Sequence, residues 1–144
     1  MQEERNSGAP TGPTEPMSAQ DERTWSVVAH LSVLAALVGL MPFGALLVWL
    51  LYKDRSPRVR FHAAQAFWYQ VAWIVIFLVY ALVTVVLSVV TLGIAAIVLV
   101  PLAFLLALVP LAHGCYAAYK VNQGEDYRYP FIADRVDGGA RRVF

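Results

Sequence analysis

Three histidines are the residues of this sequence best suited to chemistry in an apolar environment. His30, His62 and His113 lie in or beside long uncharged stretches, where an ionisable side chain suggests a functional site. Imidazoles brought together could relay protons or hold a metal ion. However, no pair has the H-x-x-x-H spacing, and each histidine is within about two helical turns of a segment end. We therefore expect each ring to reach water or a carbonyl at the interface, with no metal or cofactor bound.

Two glutamines follow the second histidine and are the other candidate functional side chains. Gln65 and Gln70 open an apolar segment, where amide groups can form hydrogen bonds between helices. We expect Gln65 to be solvated at the membrane interface and Gln70 to form one helix–helix hydrogen bond.

The apolar segments lack the residue combinations that catalysis requires. They contain no paired carboxylates, no H-E-x-x-H motif, no Ser-Lys pair at helical spacing and no glycine loop that could cradle a phosphate. The sequence therefore predicts a protein that is not an enzyme and has no catalytic residues.

The elements that position these side chains are predicted to be membrane helices. The chain has 144 residues, of which 59% are hydrophobic and 15% are charged, and two stretches, 24–52 and 61–119, contain no charged residue. A membrane crossing needs about 20 apolar residues, so the second stretch is long enough for two crossings. The remaining residues are too few to cover so much apolar surface in water. The sequence thus predicts an all-α membrane protein, a compact bundle of three hydrophobic segments.

The chain divides into a membrane domain and two polar tails. Residues 1–24 form an acidic, proline-rich tail that we expect to be disordered and not a signal peptide. The helical membrane domain covers residues 25–133, with segments at about 25–52, 62–90 and 94–119, and residues 134–144 form a polar C-terminal tail. Pro42 breaks the first segment, which is either a kinked span or a re-entrant hairpin, giving three or four helices.

Positive charges predict the orientation and the lipid contacts. The short loop at 53–60 and the C-terminal tail hold most of the lysines and arginines, so both are expected to be cytoplasmic in a multi-pass protein of the cell membrane. Five basic side chains are predicted to contact anionic lipid headgroups: Lys53, Arg55, Arg58, Arg60 and Arg128.

Small residues and tyrosines suggest how the last segment packs and ends. Gly114 and Ala118 form a small-x-x-x-small pair that permits close helix approach. Tyr127 and Tyr129 could lie at the headgroups while the arginine between them reaches phosphate. The alternative is an ordinary helix exit followed by a tail.

Several motifs in order resemble a known family. These are the run from Trp25 to Ser32, P-F-G at residues 42–44, W-L-L-Y-K-D-R-S-P at 49–57, F-H-A-A-Q-A at 61–66 and N-Q-G-E-D-Y-R-Y-P at 122–130. Together they resemble the small prokaryotic membrane proteins of domain of unknown function family 4870, which are distantly similar to the channel-type subunit of the chloroplast inner-envelope (Tic) translocon. The resemblance covers about residues 22–133. It implies a compact helical membrane bundle and no particular activity.

The sequence favours a non-enzymatic subunit or accessory factor of a membrane assembly. Its expected partners are the lipid bilayer, anionic headgroups, and another protein or further copies of itself, whereas the net charge of +1 gives no indication of nucleic-acid binding. The alternative is a small transporter or channel for protons, metal or a small solute that uses the intramembrane histidines and Gln70.

Overall fold

The protein is all-helical in the part that its computed structural model describes, residues 16–140, which contains no β-strand. The predicted all-α bundle is confirmed. The elements are α1 (Ala19–Leu31), a 3-10 helix (Ser32–Val38), α2 (Phe43–Tyr52), α3 (Pro57–Val90), α4 (Ile94–Asn122) and α5 (Ile132–Ala140).

Helix α1 begins earlier than the predicted membrane domain. Ser18 is its N-cap, and the Ser18 hydroxyl accepts a hydrogen bond from the backbone N–H of Asp21 at 3.1 Å. Such a cap satisfies a donor that the first helical turn leaves free. Residues 19–24 are therefore helical, whereas the predicted disorder of residues 1–15 lies outside the described residues.

The first apolar segment is a hairpin. The 3-10 helix ends at Gly39, whose left-handed φ of 73° suits a residue without a side chain. Helix α2 then returns against the segment that precedes it, so closely that a Cβ atom on Gly44 would lie 2.6 Å from the Ser32 Cβ. Of the two shapes that the sequence leaves open for this segment, a kinked helix and a hairpin, the structure has the hairpin.

Two long helices follow and form the apolar body of the protein. Ser56 caps α3 by accepting a hydrogen bond from the Val59 N–H at 3.2 Å, and Pro57 occupies its first turn. Helix α3 ends at Val90 and α4 begins at Ile94, the positions at which the predicted segments end and begin, with Gly93 at φ 93° in the turn. By length and composition both helices could cross a membrane.

The most apolar parts of the two long helices have little protein around them. The most apolar 18 consecutive residues of α3 are 0% buried by the rest of the protein, and those of α4 are 6% buried. Helix α3 is about 51 Å long at 1.5 Å per residue, whereas the hydrocarbon layer is about 30 Å thick. The stretch from about residue 71 to Val90 is thus long enough to cross the hydrocarbon layer. The first turns of α3 lie beyond this stretch, next to the basic loop at 53–60, and form the charged end of the helix.

The core lies at that charged end. The hairpin packs against the first part of α3 through small side chains that are almost wholly buried, among them Ala29, Ala45, Ala63 and Ala66. Helix α5 also packs on α3 and begins at Ile132, two residues before the predicted polar tail. A second cluster of buried side chains, Tyr69, Ala117 and Tyr129, lies where α3, the end of α4 and the segment before α5 meet.

Candidate functional site: a buried histidine–tyrosine network

Two of the three histidines are in direct contact. His30 of α1 and His62 of α3 are fully buried, and His30 Nε2 lies 3.1 Å from His62 Nδ1. The other ring nitrogen of His30, Nδ1, lies 3.2 Å from the hydroxyl of Tyr129, itself only 2% exposed. The two rings therefore link α1, α3 and the segment after α4. The expected separate contacts of the two rings with the interface are therefore wrong, because both rings are buried where α1, α3 and the segment after α4 meet.

The network reaches the surface at a carboxylate. His62 Nε2 lies 3.3 Å from Asp126 Oδ1, and Arg58 Nε donates to the same oxygen at 2.8 Å. The Asp126 side chain is 65% exposed. A continuous line of polar contacts thus runs from solvent at Asp126, through His62 and His30, to the buried phenol of Tyr129.

The hydrogen bonds around His62 define one direction for this line. The Gln65 amide nitrogen lies 3.0 Å from His62 Nδ1, and this nitrogen can only donate, so His62 Nδ1 is the acceptor. His62 Nε2 then carries the proton and donates to Asp126. His30 Nε2 also donates to His62 Nδ1, whose one lone pair is shared between Gln65 and His30, and His30 Nδ1 accepts from Tyr129. In this assignment, inferred from the hydrogen-bonding partners, each N–H or O–H along the line donates toward Asp126.

Gln65 fixes the tail segment to α3. Its amide nitrogen donates to the Tyr127 carbonyl at 2.7 Å, and its carbonyl oxygen accepts from the Tyr129 backbone N–H at 3.2 Å. The expected interfacial solvation of Gln65 is therefore wrong, because the side chain is fully buried and bonded to the tail backbone. Gln70 donates to the Ser32 hydroxyl at 2.9 Å, a bond between α3 and the hairpin.

His113 belongs to the same cluster through tyrosines. Its Nδ1 lies 2.9 Å from the Tyr69 hydroxyl, and its Nε2 contacts the Tyr127 hydroxyl. Tyr69 stacks on Tyr129 with ring centroids 4.1 Å apart and planes 6° from parallel. His113 thus joins the network by way of aromatic rings and makes no hydrogen bond to His30 or His62. No group of three potential ligands within residues 16–140 is arranged to hold a metal ion.

Tyr127 and Tyr129 lie on the histidine cluster. The sequence left two interpretations open for them, a position at the headgroups and an ordinary helix exit, and the structure buries Tyr129 and places both hydroxyls against histidines. Burial raises the pKa of Tyr129, and the neighbouring Tyr69 and Tyr127 raise it further, so its phenol remains a neutral donor. The N-Q-G-E-D-Y-R-Y-P motif contained the signal, since it places two tyrosines and an acid directly after a helix-ending glycine.

Asp126 has its charge stabilised by the neighbouring groups. Partial burial alone would raise its pKa, but the hydrogen bond from His62 and the charge and hydrogen bond of Arg58 outweigh this effect. The net result is a lowered pKa. The exposed end of the network is therefore a carboxylate at neutral pH.

The basic side chains predicted to contact headgroups have various protein neighbours. Arg58 pairs with Asp126, and Arg128 pairs with Asp134 at 3.0 Å and with Asp137 at 2.8 Å. Lys53 and Arg55 lie over the rings of Trp49 and Tyr52 respectively. Arg60 is partly buried near the start of α3. Lipid contact by these five residues stays a prediction.

Gly114 lies where α4 meets the hairpin. A Cβ atom added to Gly114 would lie 2.5 Å from Val33 Cγ1 and 3.4 Å from the His30 carbonyl oxygen. Ala118, one turn further on, is 3% exposed. The close approach of the two elements places His30 deep enough to meet His62 and Tyr129.

Comparison with known proteins corrects the family expected from the motifs. Residues 21–136 match the MamF/MmsF model, described as the magnetosome magnetite crystal formation protein family. The expected membership of domain of unknown function family 4870, with its distant similarity to the chloroplast translocon, is therefore wrong. No curated protein and no solved structure matches the chain.

Proposed function

Because the chain belongs to the magnetosome magnetite crystal formation family, we propose that it is a non-enzymatic membrane component that takes part in forming the magnetite crystal. The observation that carries this proposal is the extent of the match. Residues 21–136 include the hairpin, both long helices and the tail segment, so the family resemblance covers the whole network and not one motif.

The contacts of the network support a structural role for its side chains. Gln65 uses both ends of its amide on the tail segment, and His62 connects α1 to Asp126. With the contact between His30 and Tyr129, which are 99 residues apart in the chain, these bonds join distant elements. Buried polar groups that are fully matched rigidify a fold, whereas unmatched ones cost stability. We infer that the network holds the tail segment against the bundle.

The exposed apolar surface of α3 and α4 supports a role within a membrane assembly. Beyond about residue 75, α3 and α4 expose large apolar side chains, among them Leu78, Leu82, Phe104 and Leu105, each between 63% and 73% exposed. In a bilayer such a surface is covered by lipid or by neighbouring helices. We propose that the partners are the bilayer and either a second protein or further copies of this chain, with the loop at 53–60 and the C-terminus on the cytoplasmic side.

Complementation of crystal formation tests the proposal. A magnetite-forming bacterium deleted for its MamF/MmsF-family genes would receive the wild-type chain, the Y129F variant or no chain. Electron microscopy would measure crystal size and number, and blots of the membrane fraction would measure protein level. We expect the wild type to shift the crystal population toward that of the undeleted strain, and Y129F to act in proportion to its level. Unchanged crystals despite wild-type protein in the membrane would refute the role.

A transporter is the second candidate, and one observation favours it. The donors of the line at Tyr129, His30 and His62 all point toward Asp126, as a proton relay would require. Replacing His62 with Gln keeps a hydrogen-bonding side chain but removes the titratable ring. If the network has only a structural role, wild type and H62Q should show equal proton flux in reconstituted vesicles, measured with a pH-sensitive dye. A large loss of flux in folded H62Q would instead support transport.

A further inference from the structure

A second feature of the protein, separate from the histidine network, is a groove between α3 and α5. It has a volume of about 460 Å³, within the range typical of ligand sites. Five of its six lining residues are apolar or aromatic, and the sixth is an arginine. The lining residues are Trp68, Val71, Ala72, Ile132, Arg135 and Val136.

The groove lies where the hydrocarbon layer is expected to begin. The residues of α3 from about 71 onward suffice to cross the apolar layer, and Val71 and Ala72 form one wall of the groove. Trp68, one turn closer to the charged end, is 55% exposed, and tryptophan favours the headgroup level. Val71 and Ala72 are therefore expected at the depth of the acyl chains, with Trp68 at the level of the headgroups.

Arg135 is the one charged side chain that lines the groove. The two acids that flank it on α5, Asp134 and Asp137, both pair with Arg128. Arg135 itself is exposed and has no ion-pair partner among residues 16–140. A guanidinium binds phosphate oxygens in a bidentate fork, and near a membrane surface it favours anionic lipid.

We propose that this groove is a binding site for one anionic phospholipid, with an acyl chain on the apolar wall and the phosphate on Arg135. The ligand is amphiphilic and negatively charged, matching a groove that is apolar along α3 and cationic at its rim. The site differs from the predicted headgroup contacts, which did not include Arg135. It rests on membrane insertion and not on a role in crystal formation, so either proposal can fail without the other.

Quenching of tryptophan fluorescence by brominated lipids tests the site. The full chain would be reconstituted in phosphatidylcholine vesicles containing increasing fractions of brominated phosphatidylglycerol or, in parallel, brominated phosphatidylcholine. Bromine quenches tryptophan fluorescence only at close contact. The difference between the quenching curves of wild type and W68F gives the contribution of Trp68. We expect that contribution to show a preference of about fivefold for the anionic lipid, and R135Q to abolish the preference.

Matched variants make the result decisive. R60Q removes another arginine of the charged end that does not line the groove, and it should keep the preference. Circular dichroism would establish that each variant remains helical. An equal preference in R135Q and wild type, or an anionic preference that W68F leaves unchanged, would overturn the site. A preference lost equally in R60Q and R135Q would show general surface attraction and would also overturn it.

Discussion

At the scale of single residues, Tyr129 connects the two halves of the network. Its hydroxyl bonds to His30, its backbone N–H bonds to Gln65, and its ring stacks on Tyr69. The side chain thus brings a loop after α4 into contact with both the hairpin and α3. No pattern within 10 or 20 residues could indicate such a contact, because the partners are far apart in sequence.

Removing the Tyr129 hydroxyl should destabilise the fold. In Y129F the buried His30 Nδ1 loses its donor, and a buried acceptor without a partner costs about 1–3 kcal/mol. Thermal unfolding in mild detergent, followed by circular dichroism, should show a lower midpoint. The control is Y119F, whose ring is 57% exposed and whose loss of hydroxyl should leave the midpoint unchanged. Equal midpoints for Y129F and wild type would contradict the assigned bond.

The lowered pKa of Asp126 predicts how the stability of the fold depends on pH. Because its pKa is lower in the folded protein than in the unfolded chain, it contributes stability above the unfolded pKa of about 4. That contribution is lost as pH falls through the folded pKa. D126N should therefore be less stable than wild type near pH 7, and the difference should shrink as the pH is lowered toward 3. A difference that stays constant with pH would argue against the pairing with Arg58 and His62.

At the scale of elements, the hairpin is the part that positions the site. The sequence indicated a break near Pro42 but gave two geometries, because a kinked span and a hairpin bury similar apolar residues. Close contacts decide between them in the structure, at Gly44 against Ser32 and at Gly114 against Val33. These contacts depend on the three-dimensional approach of elements that no periodicity encodes.

A methyl group at Gly114 should disrupt this approach. G114A places a Cβ atom against Val33, and overpacking of this kind costs about 1–3 kcal/mol. Adding V33A should restore part of the loss, because it removes the methyl group that lies 2.5 Å away. G138A is the matched control, since nothing lies within 4 Å of its added Cβ atom and the helix should gain slightly. Equal destabilisation of G114A with and without V33A would exclude this steric explanation.

The long helices were more predictable than the site. Residues 61–119 carry no charge, and because lipid excludes charge this stretch predicts two membrane helices. The turn at Thr91–Gly93 predicts the boundary between α3 and α4, because glycine favours turns. The start of α1 was set too late because the Ser18 cap lies in polar sequence. The site was missed in part for the same reason: Asp126, Tyr127 and Tyr129 occur in a polar segment that resembles an ordinary tail.

At the scale of the whole molecule, the polar segments gather at one end. Glu22 accepts a hydrogen bond from the Ser56 hydroxyl at 2.6 Å, which joins the start of α1 to the loop before α3. The ion pair between Arg58 and Asp126 joins the first turn of α3 to the segment after α4. Leu92, in the turn at the far end of the two long helices, is 94% exposed. The hairpin fold therefore predicts two crossings, with both ends of residues 16–140 on one side of the membrane.

Cysteine labelling across the membrane tests this arrangement most directly. In a C115A background, single cysteines at Gln20, Asp54 and Leu92 would be treated in intact right-side-out and inside-out vesicles with a maleimide that cannot cross lipid. The hairpin fold predicts that Q20C and D54C react from the same side of the membrane and L92C from the opposite side. Labelling of Q20C together with L92C, and of D54C alone on the other side, would mean that the first segment crosses the membrane and would contradict the hairpin.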